Sequence, residues 1–195
     1  MHSSHIILGG LLLVTLLGRL DAGEYGFYLD DEEIFSKCHG TAANDIHSFL
    51  DMSNVEIDID GASMNVSGYV TIIWDVEPTD RIAFRFELMR FKRGAWQPTI
   101  FNSLGEDFCT VMYLETEFWY RPLTSKIRQD ERQCVNVKGT VIHLEMLDIF
   151  FKLTTEGNDV EGRHKTVLQF EAIDQNGVKR PNRICAEIVG ELIRM

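Results

Sequence analysis

Apolar and polar residues alternate along most of this chain with a period of two, the pattern of strands that bury one face. Residues 54–61 set Val55, Ile57 and Ile59 against Glu56, Asp58 and Asp60. Residues 64–76 put Met64, Val66, Val70, Ile72, Trp74 and Val76 on one face, with Asn65, Ser67, Thr71 and Asp75 on the other. Asp60-Gly61 between these runs is a hairpin signal. Residues 81–93 set Ile82, Phe84, Phe86 and Leu88 opposite Arg81, Ala83, Arg85 and Glu87. Residues 139–153 put Ile142, Leu144 and Met146 opposite Val141, His143 and Glu145. Residues 163–173 align Thr166, Leu168, Phe170 and Ala172, and Asn176-Gly177 marks another tight turn. The last run aligns Ile184, Ala186, Ile188 and Leu192, leaving Cys185, Val189 and Ile193 on the opposite side. Six or more strands joined by short turns predict a mainly β chain, an antiparallel β-sandwich or barrel.

The rhythm breaks in "GAWQPTIFNSLGEDFCTVMY", residues 94–113. From there Leu104, Phe108, Val111, Met112 and Trp119 fall near one helical face. Ser103 and Glu106 have the spacing of a capping box, and Pro122 would stop a helix. Gly105 and the β-branched pair Thr110-Val111 oppose it. The balance predicts a short helical segment within 104–119.

Residues Ile6–Leu17 form an apolar run too short to span a bilayer and of the length of a signal-peptide core. Residues 1–22 therefore read as a secretory signal, and 23–195 as a single domain. The chain carries a net charge of −11, which repels a phosphate backbone and argues against nucleic acid as a partner. Four cysteines, Cys38, Cys109, Cys134 and Cys185, suggest two disulfides in an exported protein, with three pairings possible. Their spacing is not that of a zinc site, so no metal and no cofactor are expected. Asn65-Val66-Ser67 is a glycosylation sequon on a polar strand face.

The sequence has no GxSxG, phosphate-binding loop, GxGxxG or HExxH motif. His39, His47, His143 and His164 are scattered over different predicted elements, and the many carboxylates read as a solvated surface. No catalytic residue is assigned. Aromatic residues recur through the predicted strands, either filling a core or lining a hollow sized for an apolar ligand.

Taken together, "GAWQPTIFNSLGEDFC", a cysteine before "VKGTVIHLE" and a terminal "RICAEIVGEL" resemble the insect chemosensory A/B-type secreted proteins (CheA/CheB). Those are similar to the ganglioside-activator branch of the ML lipid-recognition proteins. The resemblance implies a cup-like β-sandwich that holds a lipid between its sheets, without catalysis, in contact-pheromone or gustatory detection. It also implies the pairs Cys38–Cys185 and Cys109–Cys134. The chain has fewer cysteines than the activators carry.

The expected ligand-facing residues are Trp74, Phe84, Phe86, Leu88, Ile142 and Leu144 on strands. Trp96, Phe101 and Phe108 are expected at the rim. Partners would be a lipid or other hydrophobic small molecule and a sensory membrane receptor, for a chain that is not an integral membrane protein. The competing readings are an extracellular interaction module with a solid core and acidic surface, a hydrolase with an unrecognised carboxylate pair, and a form tethered by its first 22 residues.

Overall fold

The computed structural model describes residues 22–30, 33–150, 152–156 and 160–195, with the backbone alone for Ala22, Met146 and Glu156. The proposed signal segment lies outside the described residues, apart from the Ala22 backbone. Among the described residues the chain is mainly β, with antiparallel sheets forming a curled half-barrel and one short helix. The strands are β1 (Ala22–Leu29), β2 (Ser36–Lys37), β3 (Leu50–Asp60), β4 (Ser63–Ile72) and β5 (Arg81–Lys92). They continue as β6 (Ala95–Gly105), β7 (Val141–Phe150), β8 (Lys152–Glu156), β9 (Gly162–Ile173) and β10 (Ile184–Arg194). The helix α1 spans Phe108–Val111.

Two sheets face each other. The larger has the order β6-β5-β9-β10-β1-β8, with β2 also pairing β10; the smaller has the order β3-β4-β7. Every pairing between named strands is antiparallel. The β3–β4 hairpin turns where Asp60-Gly61 predicts it, with Gly61 at φ 63°. After β9, Gly177 donates its N–H to Asp174 O, and Asp174 donates to Val178 O, closing the second predicted turn.

The alternation sorts the large sheet cleanly. Ile82, Phe84, Phe86, Phe170, Ala172, Ile184 and Ala186 are buried on its inner face. The small sheet contributes Met64, Val66, Ile72, Ile142, Leu144, Leu147 and Ile149. In β7 the inward positions change parity: the pairing with β4 slips between Val66/Leu147 and Gly68/Leu144, so inward residues run 142, 144, then 147, 149. That bulge breaks the simple alternation predicted through Met146, whose side chain lies outside those described. Opposite the slip, Gly68 sits at φ 105°, and a Cβ there would run into the Asn54 carbonyl oxygen.

The helical segment is present but begins later than its capping signal suggests. Ser103 and Leu104 belong to β6, where Gly105 pairs with Phe84 and Ser103 with Phe86. Pairing with β5 overrides the local helical pattern. The N-cap is Asp107, whose Oδ1 accepts from Cys109 N at 3.1 Å. Cys109 is bonded to Cys134, and Cys38 to Cys185.

One end of the sandwich is closed by a polar clamp. Arg180 donates from Nε and Nη2 to the two carboxylate oxygens of Asp80, each at 2.9 Å. Asp80 Oδ2 also accepts from Glu77 N, and Asn136 Nδ2 donates to the carbonyls of Pro78 and Asp80. The Arg180 hydrogen bonds are the main reason the Asp80 carboxyl titrates below the usual range, against the opposing effect of its burial. Asp80→Asn should lower Tm by roughly 5 °C, with the partial exposure of Arg180 limiting the effect. Because the folded pKa is depressed, this contribution is present above the unfolded pKa of about 3.9 and is lost as pH falls further. A pH 7 melting curve unchanged by Asp80→Asn would show that the clamp is not a stabilising contact.

Candidate functional site: the aromatic interior

Seven aromatic residues converge between the sheets. Phe84 and Phe86 enter from β5, Phe170 from β9, Phe108 from α1, and Trp119 from the turns that follow. Trp74 and Phe49 extend the group toward the Asp80 end. Phe86 lies within 5.4 Å, centroid to centroid, of Phe84, Trp119 and Phe170. Phe170 meets Phe49 at 5.3 Å, and Phe49 meets Trp74 edge-on at 5.4 Å. Such tilted and edge-on contacts match the aromatic quadrupoles and fill space well. The indole N–H groups are satisfied: Trp74 Nε1 donates to Asn182 O at 2.8 Å, and Trp119 Nε1 to Met112 O at 3.0 Å.

The group reaches the surface at Phe118. Phe118 is 64% exposed, yet its ring lies 6.1 Å from Phe86 and 4.9 Å from Trp119. Rings therefore run without a break from solvent to Trp74.

Of the residues expected to face a ligand, Trp74, Phe84, Phe86, Ile142, Leu144 and Phe108 come together in this interior. Leu88 and Phe101 pack instead in an adjoining lobe around Tyr25, Phe27, Val160 and Leu192. Trp96 is a correction: it lies on the far side of the large sheet. There its ring meets Phe91 at 5.1 Å and lies 5.0 Å from Lys165 Nζ. The physical reason is parity, since Trp96 pairs with Phe91 and falls on the opposite face from Phe84 and Phe86. Phe49 was not legible from the pattern, because it follows a short 3-10 turn at Ile46–Ser48 rather than sitting in an alternating run.

Two surface hollows are described, the first of them touching Phe84 and Phe170 of this interior. One of about 260 Å³ is lined by Ala83, Arg85, Gln169, Glu171 and Arg183, largely on the outer face of the large sheet. Another, of about 420 Å³, lies beside Leu50, Met52 and Ile73.

Carboxylates are otherwise engaged. The buried ones among the described residues are Asp80, held by Arg180, and Glu187, whose Oε1 accepts from Lys165 Nζ at 2.7 Å. Asn65 stands exposed on β4, the middle strand of the small sheet, between Asp58 and Asp148.

One buried histidine stands out. His164 on β9 is fully buried, with Nδ1 2.7 Å from Gly162 O. Burial, and to a lesser degree the Arg90 guanidinium, hold its pKa below the usual histidine range, against the raising effect of the Gly162 carbonyl. The imidazole is thus neutral at pH 7. The unfolded chain, at about 6.5, takes up a proton first, so this contribution is complete above that pH and declines below it. Denaturant midpoints should fall between pH 7 and 5.5, and His164→Gln should remove part of that fall. A midpoint flat over this range, or a slope untouched by the substitution, would contradict the assignment.

Comparison with protein-family models and with curated proteins gives no match for this chain.

Proposed function

We propose that this is a secreted, non-enzymatic binding protein for a lipid or another hydrophobic small molecule, of the chemosensory kind its resemblance implies. The observation that carries this reading is the unbroken line of rings from exposed Phe118 through Phe86 to Trp74. An exposed phenylalanine seated on the buried core is an entry point for an apolar chain, which would bind by removing its own surface from water. Two disulfides suit an oxidising compartment, and no helix among the described residues is long and apolar enough to cross a membrane. The ligand would part the rings between the sheets, and a membrane receptor would take the loaded protein.

A second reading has its own support. The rings touch one another throughout, and Glu56, Asp58, Asp60 and Asp148 crowd the small sheet on exposed positions. These features suit an extracellular interaction module with a solid core and an acidic face.

Titration with a long-chain lipid analogue separates the two. A carrier should quench or shift Trp119 emission, and Phe118→Ala should weaken binding by about tenfold if one ring's apolar contact is lost. Native mass spectrometry of the secreted protein should show bound lipid. Emission that stays unchanged at saturating lipid, with protein always ligand-free, would overturn the carrier reading.

A further inference from the structure

His164 occupies a position that an apolar interior does not explain. The pairing of β9 with β5 and with β10 runs without a slip, so alternation puts His164 on the same inner face as Phe170 and Ala172. Across from it stand Arg90 on β5 and Gly190 on β10. Gly190 has no side chain to offer, and a Cβ there would lie 2.8 Å from the Phe27 ring. The flanking inward positions are Leu88, Ile188 and Leu192, members of the apolar lobe beside the main core.

The hydrogen-bond roles follow from geometry. Gly162 O can only accept, so Nδ1 carries the proton and donates to it. Nε2 is then a lone-pair acceptor. It is buried and has no hydrogen-bond partner among the described residues. Two other buried atoms share that condition, Thr124 Oγ1 and Asn182 Oδ1, but both lie outside the strands, in the connecting segments. Of these three described atoms, His164 Nε2 alone is an unmet acceptor on the inner strand face beside the apolar lobe. An unpaired buried acceptor is costly, and native structures rarely keep one without a partner that arrives from elsewhere.

We propose that His164 Nε2 anchors the head of a hydroxyl-bearing hydrophobic ligand, such as a long-chain alcohol, whose O–H donates to it. This rests on the carrier reading above. A carboxylate is disfavoured because it brings only acceptors to an acceptor, and a plain hydrocarbon leaves the nitrogen unmet. The chain of the ligand would run from the aromatic interior past Ile188, which packs against both groups, into the lobe of Leu88, Phe101 and Leu192, where its hydroxyl would complete the histidine.

The test uses the full disulfide-bonded protein with 1-hexadecanol and its methyl ether, which differ in the O–H donor. Wild-type protein should prefer the alcohol by about tenfold, the effect of one hydrogen bond. His164→Leu should abolish the preference while still binding the ether. Equal affinity of wild-type protein for both probes would overturn the anchor and leave the carrier reading standing. Binding of neither probe would overturn both. Should His164→Leu fail to fold, the imidazole ¹⁵N spectrum of wild-type protein decides. The alcohol should move the Nε2 resonance upfield and the ether should not. A resonance already in the hydrogen-bonded position without ligand, held there by a buried water, would also overturn the anchor.

Discussion

Phe86→Ala is expected to destabilise the fold by about 4 kcal/mol, read from denaturant midpoints at constant m-value. Phe86 stands at the centre of the aromatic interior, with five ring neighbours at 5.2–6.1 Å. Truncation removes those contacts and leaves a void that rigid strands on one side and a disulfide-tethered helix on the other can only partly close. Phe91→Ala supplies the contrast, because Phe91 is 42% exposed and sits at a hairpin end, so its loss should cost about 1 kcal/mol or less. Equal costs at the two sites would mean that the interior collapses freely, and the rings would not be a packed core.

Replacing Cys38 and Cys185 together by serine and alanine should produce a loss of similar size. The bond spans 147 residues, and the chain-entropy account assigns roughly 5 kcal/mol to a closure of that length. It also fastens the segment around Cys38 and Ala43 over the outer face of β9 and β10, where Val167 and Cys185 are buried. The Lys165–Glu187 ion pair lies on the same face. Once the segment is released, that pair should become accessible, so the double variant should lose hydrogen-exchange protection along β9 and β10 first. The Cys109–Cys134 bond closes a separation of only 25 residues and should matter less to global stability. A larger global loss on removing Cys109–Cys134 would reverse this ranking.

The strands with one wet face were legible because each inward position repeats every second residue. Phe84, Phe86, Phe170 and Ala172 follow that rule without interruption. Three features resisted it for identifiable reasons. β7 changes parity at a bulge, a device of backbone pairing with no signature in its own residues. β6 runs through Gly105 although its local composition favours a turn or helix start, because the twelve-residue strand β5 offers it a partner edge. β1 was hidden by the adjoining apolar run, and its pairing with β10 joins segments far apart in sequence. The site was legible as a set of aromatic residues but not as an arrangement. Trp96 shares the chemistry of Phe84 and lies across the sheet from it, whereas His164 carried no signal until its neighbours were known.

The strand order has a consequence for the way the protein is made. β10 lies at the middle of the large sheet, flanked by β9 and β1, and it also holds β2. Of the described strands β1 is made before the others, yet its principal neighbour β10 is made after them. Until then β2 and one edge each of β1 and β9 lack their partner, and Cys38 has no Cys185 to meet. The small sheet and the β5–β6 hairpin can form early from nearby segments, but the large sheet cannot be completed before β10 is made. A released chain truncated just before Ile184 should therefore be open to protease and chaperone, and extension through the eleven residues of β10 should convert it to a closed form.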